Sequence, residues 1–180
     1  VSAEDFLNAQ EKVEELANII FAFGEERKSR KIAKAIIEYK KNKKIQTTIE
    51  LANIIQSVKG LKKRGIHPST KTFQAIRIYI NNELEEIKKG LIATKNILTK
   101  GGRLVVISFH SLEDRLIKNF LYKQSGKLYN KSRYLPSVTP NIKLSPSFKI
   151  LTKKVVRPKI NEIKSNFYSR SAKLRAAERL

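Results

Sequence analysis

The sequence predicts an α/β protein, the latter part of a layered sheet preceded by a basic helical block. Three observations carry this. Leu104-Val105-Val106-Ile107 is an unbroken apolar and largely β-branched run, the pattern of a strand covered on both faces as in a parallel sheet. The run sits in the order helix, Gly101–Gly102, strand, polar loop, helix, which is half of a doubly wound unit. Residues 1 to about 68 show helical periodicity alone.

Taken in order, Ser2 and Asp5 have the spacing of a capping box with Asp in place of Glu. Val13, Leu16, Ala17 and Ile20 follow the i, i+3, i+4, i+7 rule, so residues 10–22 read as a helix that Gly24 would end. A second helix is expected over 25–41, with Ile32, Ala35, Ile36 and Tyr39 inward. Arg27, Lys28, Arg30, Lys31 and Lys34 form a basic stripe on its other face. Thr47 or Thr48 caps a third helix, whose apolar face is Leu51, Ile54, Ile55 and Val58.

Gly60 and Gly65 punctuate a basic loop, and Pro68 suits the first turn of the next helix, 69–80. That helix carries Phe73, Ala75, Ile76, Ile78, Tyr79 and Ile80, enough to be buried on several sides, and Arg77 in it is expected to form a buried ion pair. A helix over 83–99 packs through Leu84, Ile87, Leu91 and Leu98. After the strand at 103–108 and its following helix, residues 125–146 hold three prolines and no periodicity, which predicts a long loop. Phe148–Leu151 reads as a strand. Residues 171–180 allow a closing strand or a helix, since Ala172, Leu174 and Ala176 alternate but alanine also favours helix.

Composition narrows the function. There is no cysteine and only His67 and His110, so a thiolate or histidine-rich metal site is not expected. No apolar run approaches the roughly 20 residues that cross a bilayer, and no signal peptide stands at the start, so a cytoplasmic protein without membrane contact is the expectation. The net charge is +22 and it is unevenly placed. Residues 1–26 carry seven acids and one base, residues 27–74 fourteen bases against two acids, and residues 123–180 fifteen bases against two. Such an excess suits a polyanion, because each phosphate neutralised releases counterions. With no methionine and Val1 in first place, the chain reads as a fragment.

The loop SFHSLEDR follows the buried run, where ligands collect in open α/β sheets. Ser108, His110 and Ser111 offer hydrogen-bonding groups there. Glu113 and Asp114 fall in the first turn of the next helix, where acids also stabilise a helix N-terminus, and Ser111 could serve only as its N-cap. The residues alone leave both readings open.

Four stretches resemble one family. ISFHSLEDR (107–115) resembles the signature of the RsmH family, also called MraW. GEERKSRKIAKAI (24–36), HPSTKTFQAIRIYIN (67–81) and NFYSRSAKLRAAERL (166–180) are similar to three further segments of it, in order and across nearly the whole chain. The resemblance implies S-adenosylmethionine-dependent methylation of N4 of a cytidine in small-subunit (16S) ribosomal RNA. It also implies a Rossmann-like sheet with a helical domain inserted in it. Residues 1–68 would be most of that insertion, and 69–180 the C-terminal part of the catalytic domain. Ser108, His110, Glu113 and Asp114 become candidates for lining the cytidine side. Arg27, Arg30, Lys31, Arg170, Lys173 and Arg175 become candidates for contacting RNA, either free or within an assembled small subunit.

The family's cofactor motifs have no counterpart here. The chain lacks a GxGGH-type turn after a first strand, an acidic residue ending a second strand, and the DLG-type motif that normally follows. No cofactor-binding residue is therefore expected in this chain, which reads as a C-terminal portion. Phe167 and Tyr168 stand where the family has Pro-Arg, exchanging a charge for rings that can stack on a base. Two alternatives stand beside the enzyme: a non-catalytic basic RNA-binding module, and a decayed product of a split gene.

Overall fold

The computed structural model describes residues 2–60, 67–126 and 145–180. The basic loop through Gly65 and most of the expected proline-containing loop lie outside the described residues. The chain divides into two compact units, Val1–Glu83 and Leu84–Leu180.

The first unit is helical: α1 (Ala3–Ala9), α2 (Val13–Gly24), α3 (Ser29–Asn42), α4 (Thr48–Lys59) and α5 (Thr70–Ile80). The Ser2–Asp5 capping box forms, with the Asp5 N–H donating to Ser2 Oγ at 3.0 Å and the Ser2 N–H donating to Asp5 Oδ2 at 3.1 Å. It starts a separate short helix, and extended backbone at Gln10 and Lys12 divides α1 from α2. Of the two threonines before α4, Thr47 is the cap, paired reciprocally with Glu50. The amphipathic faces then meet in one core around Leu16, Ile20, Ile32, Ile36 and Ile55, each fully buried. Pro68 precedes the cap residue Ser69 instead of lying inside the first turn of α5.

The helix does end at Gly24, and the glycine has a second role. It is the last residue of α2, and Glu25 takes the left-handed conformation after it (φ +49°). What Gly24 supplies is proximity, because a Cβ there would sit 2.4 Å from the Lys71 carbonyl oxygen on α5. This close approach of α2 and α5 places α5 in the helical unit. The packing division therefore falls at Glu83, past the composition change near 68, with Ala75, Ile76 and Ile78 of α5 buried. Arg77 does make an ion pair, donating two bonds to Glu83 at 2.9 and 3.2 Å, but it is an exposed one.

The second unit holds α6 (Glu83–Ile97), β1 (Arg103–Ser108), α7 (Ser111–Gln124), β2 (Phe148–Ile150), α8 (Ile160–Ser165), a 3₁₀ turn (Phe167–Ser171) and β3 (Lys173–Arg179). The C-terminal segment is a strand. It lies in the middle of the sheet, in the order β1-β3-β2, and runs antiparallel to both neighbours. Val106 faces Arg175 across it, and Ile150 faces Ala177.

The unit is thus a mixture of helices and a small antiparallel sheet, consistent with an α/β fold, and the expectation for β1 needs correction. Leu104 and Val106 join the core of Leu91, Ile117, Leu121, Phe148 and Ala177. The alternate residues Val105 and Ile107 are each 55% exposed. β1 carries apolar side chains on both faces, but among the described residues only one face is covered. Its described partner, β3, runs antiparallel to it, although α7, β2 and α8 lie between the two in sequence. No described helix is long and apolar enough to cross a membrane.

Candidate active-site loop and basic surfaces

β1 delivers the chain to a tight junction at its carboxyl end. Ser108 is the last strand residue and Ser111 the first of α7, leaving Phe109 and His110 to make the turn. The N-cap is His110, and Ser111 lies inside the helix. His110 Nδ1 accepts the Glu113 N–H at 3.3 Å, and Glu113 Oε2 accepts the N–H groups of Phe109 at 2.8 Å and His110 at 3.3 Å. This is a capping box with imidazole in the place usually taken by a hydroxyl or carboxylate.

That geometry fixes the tautomer of the neutral ring. A ring nitrogen that accepts a backbone N–H cannot carry the proton, so neutral His110 is protonated on Nε2. Nε2 is buried and faces Glu113 Oε1 at 3.2 Å. Burial alone would raise the Glu113 carboxyl. The His110 side chain and the N–H groups of Phe109 and His110 outweigh it and hold the carboxyl at about 2.

Asp114, next along α7, is gripped by Arg175 of β3 through a two-bond fork of 2.7 and 3.1 Å. Burial opposes ionisation of Asp114, and the guanidinium overcomes it, so the carboxyl is lowered below its usual range. Ser108 is buried, and its hydroxyl donates to the Lys173 carbonyl at 3.4 Å. Ser108, His110, Glu113 and Asp114 therefore do come together, with Arg175 and Lys173 supplied by β3.

The same contacts redistribute the expected roles. Glu113 is used in holding the turn, and Asp114 in joining α7 to the sheet. Arg175 is buried in that fork and is not open to a phosphate. Arg170 is exposed, with its guanidinium 4.9 Å from the centre of the Phe167 ring, and Tyr168 beside it is 87% exposed. In the helical unit Arg27, Arg30 and Lys31 are all exposed, and Arg30 Nε lies 3.5 Å from Glu14 Oε2.

Two residues of note escaped the sequence reading. Phe109 is 56% exposed in the turn itself, and a bulky aromatic inside an otherwise polar loop was the available signal. Glu26 is buried, pairs with Lys59 at the end of α4 and accepts the Lys28 N–H at 3.0 Å. Nothing in a Glu-Glu-Arg-Lys string separates such a buried carboxylate from its exposed neighbours.

The entire chain, residues 1–180, matches the model of the MraW methylase family. The chain belongs to this family. Among curated relatives named ribosomal RNA small subunit methyltransferase H, those of Rickettsia prowazekii and Rickettsia africae are each 50% identical over 99% of this chain, covering 58% and 57% of the relative. That of Rickettsia felis is 49% identical over the full chain and 58% of its own length. The chain thus spans somewhat over half the length of these relatives. Within this MraW-family chain, the stretches that carried the resemblance are tied together physically. Asp114 of SFHSLEDR is bonded to Arg175 of the C-terminal stretch, and Gly24 of the GEER stretch admits Lys71 of the HPSTKTF stretch.

Proposed function

We propose that this chain is the RNA-facing portion of an S-adenosylmethionine-dependent methyltransferase acting in the cytoplasm on N4 of a cytidine in small-subunit ribosomal RNA, free or in the assembled subunit. The observation that carries the reading is the family match along all 180 residues. The relatives' name, small-subunit ribosomal RNA methyltransferase, agrees with it. In this reading the helical unit belongs to an inserted domain, and β1–β3 belong to a larger Rossmann-like sheet. The open apolar face of Val105 and Ile107 supports the second point, because a strand exposing such residues is a strand awaiting cover.

The described residues do not fit the cofactor by themselves. The glycines with positive φ are Gly60 after α4, Gly101 before β1 and Gly126 after α7. None follows the carboxyl end of a strand, where backbone could cradle a nucleoside. The transfer step itself therefore does not rest on these residues.

Their part is presentation of the base. The exocyclic nitrogen of cytosine is a weak nucleophile, since its lone pair is delocalised into the ring, so it must be held and its hydrogens accepted. A base in structured RNA must first be unstacked. Phe109 offers an exposed ring for it at the end of β1. Ser108, His110, Glu113 and Asp114, in the same turn and the first turn of α7, are the candidates for lining the base. His110, with Nδ1 accepting the Glu113 N–H and Nε2 buried, is suited to hold the turn and not to abstract a proton. Arg27, Arg30, Lys31, Arg170 and Lys173 supply the phosphate contacts, with Phe167 and Tyr168 as further stacking surfaces.

A second reading, an RNA-binding module without chemistry, is favoured by the lack of a cofactor cradle among the described residues. Calorimetric titration of S-adenosylmethionine into the folded 180-residue chain tests the division of labour. The expected result is no heat, with RNA binding retained and methylation restored only in a protein of the relatives' full length. Micromolar cofactor binding by this chain would overturn it.

A further inference from the structure

The groove between α2 and the start of α3 has more than charge. It encloses about 540 Å³ and is lined by Asn18 and Phe21 on one side and by Arg27, Lys28, Arg30 and Lys31 on the other. That volume lies in the roughly 300–1,000 Å³ span of small-ligand sites. Phe21 is 60% exposed in it, although its neighbour Ile20 is fully buried in the core. The placement follows from the helix period, since Asn18 and Phe21 continue the outer face of α2 while Leu16, Ala17 and Ile20 turn inward. Most of the Phe21 surface is thus open to solvent. The ring stands next to four cations, which a folded chain of net charge +22 has no need to gather for its own stability.

We propose that this groove binds one unstacked base of single-stranded RNA on the Phe21 ring, with the flanking phosphates held by Arg27, Arg30 and Lys31. The inference rests on the RNA reading above and adds a recognition point in the helical unit, where that reading had only phosphate contacts. Charge decides for RNA over an acidic protein segment only in combination with the ring. Cations alone suit either, but an aromatic face flanked by cations matches the alternation of base and phosphate along a single strand. Glu14 lies against Arg30, and that pair is exposed on both sides. A bond of that kind exchanges readily for a phosphate. Arg27 and Lys31 have no ion-pair partner among the described residues. Lys28 is partly occupied, donating to the Val58 carbonyl at 3.4 Å, and is a weaker contributor.

The test uses the full 180-residue chain and a fluorescein-labelled single-stranded oligoribonucleotide, with a duplex of the same sequence as comparison. Phe21→Ala is expected to weaken single-strand binding by about tenfold, the order of one base–aromatic stack, and to leave duplex binding unchanged. Arg27→Gln and Lys31→Gln are each expected to lower the slope of log affinity against log salt by about 0.7, while Phe21→Ala leaves the slope alone. The chain has no tryptophan, so Phe21→Trp places a single indole reporter in the groove, and its fluorescence is expected to be quenched when a base stacks on it. Single-strand affinity within twofold of the parent for Phe21→Ala, or an indole left unquenched at saturation in Phe21→Trp, would overturn the proposal and leave the wider RNA reading in place. Displacement of the RNA by an equal concentration of oligoglutamate would overturn it in favour of an acidic protein partner. Absence of any oligonucleotide binding at low salt would remove the RNA reading of the helical unit together with it.

Discussion

The two units handle apolar surface in opposite ways. The helical unit, rich in charge, closes over its own core, with Leu16, Ile20, Ile32, Ile36 and Ile55 fully buried and an ion pair sealed beside them. The sheet unit buries one face of β1 and leaves Val105 and Ile107 open on the other, with Leu151 and Val156 also exposed. The difference teaches where each gets its stability. Helices bury an amphipathic stripe against one another and need no further chain. A short sheet with apolar residues on both faces is satisfied only when both faces are covered. The same contrast separates the basic residues. Arg30 and Lys31 at the start of α3 stay in solvent, whereas Arg175 in the sheet unit is locked to Asp114.

The contrast breaks most sharply at Glu26. Removing one partner of a buried pair strands the other, so Glu26→Ala should destabilise the helical unit by about 3 kcal/mol, read from the shift in urea midpoint. A loss below about 1 kcal/mol would mean that Lys59 finds water, and that the unit is less closed than its burial indicates.

A smaller effect is expected at the β1–α7 turn. His110→Ala removes the cap and should cost about 1 kcal/mol, while His110→Asn, which can accept the same N–H, should recover most of it. If the two variants are equally destabilised, the imidazole contributes by packing and not as a cap. The acid response of this turn has a definite sign. Glu113 titrates at about 2 when folded against an ordinary value of 4.5. Its contribution is therefore complete above about 4.5 and is lost as pH falls toward 2. Asp114, lowered by Arg175, acts in the same direction. Acid melting followed with Glu113→Gln as reference should show a shallower loss below pH 4.5 in the variant.

The smallest change in stability, and the one that most directly sharpens the comparison, belongs to the open face. Val105→Thr with Ile107→Thr should alter the chain's stability by less than about 0.5 kcal/mol, since these side chains are mostly in water already. Light scattering should show less self-association in the double variant. A loss of 2 kcal/mol or more would mean that the face is covered within this chain after all.

Much of the fold was legible in the sequence, for identifiable reasons. The four apolar stripes of α2 to α5, the Ser2 cap, a threonine cap at 47 or 48 and the β1 run are local patterns, each determined by side chains within a few residues of one another. The same holds for the SFHSLEDR turn at a strand's carboxyl end and for Arg30, Lys31 and Lys34 of the basic stripe, whereas Arg27 and Lys28 lie before the start of α3. Tertiary structure alone decided the rest, because the partners are distant in sequence. Alternating alanines near the C-terminus left strand and helix equal until pairing with both β1 and β2 made Lys173–Arg179 the central strand. Gly24 ends α2 as its sequence suggested but is also a point of contact with Lys71, and Arg175 looked like a phosphate ligand and proved to be the anchor of Asp114. Composition and periodicity determine which residues are apolar, charged or able to turn. Which cation remains open to a phosphate, and which is consumed by a carboxylate sixty-one positions away, is determined only when the chain closes on itself.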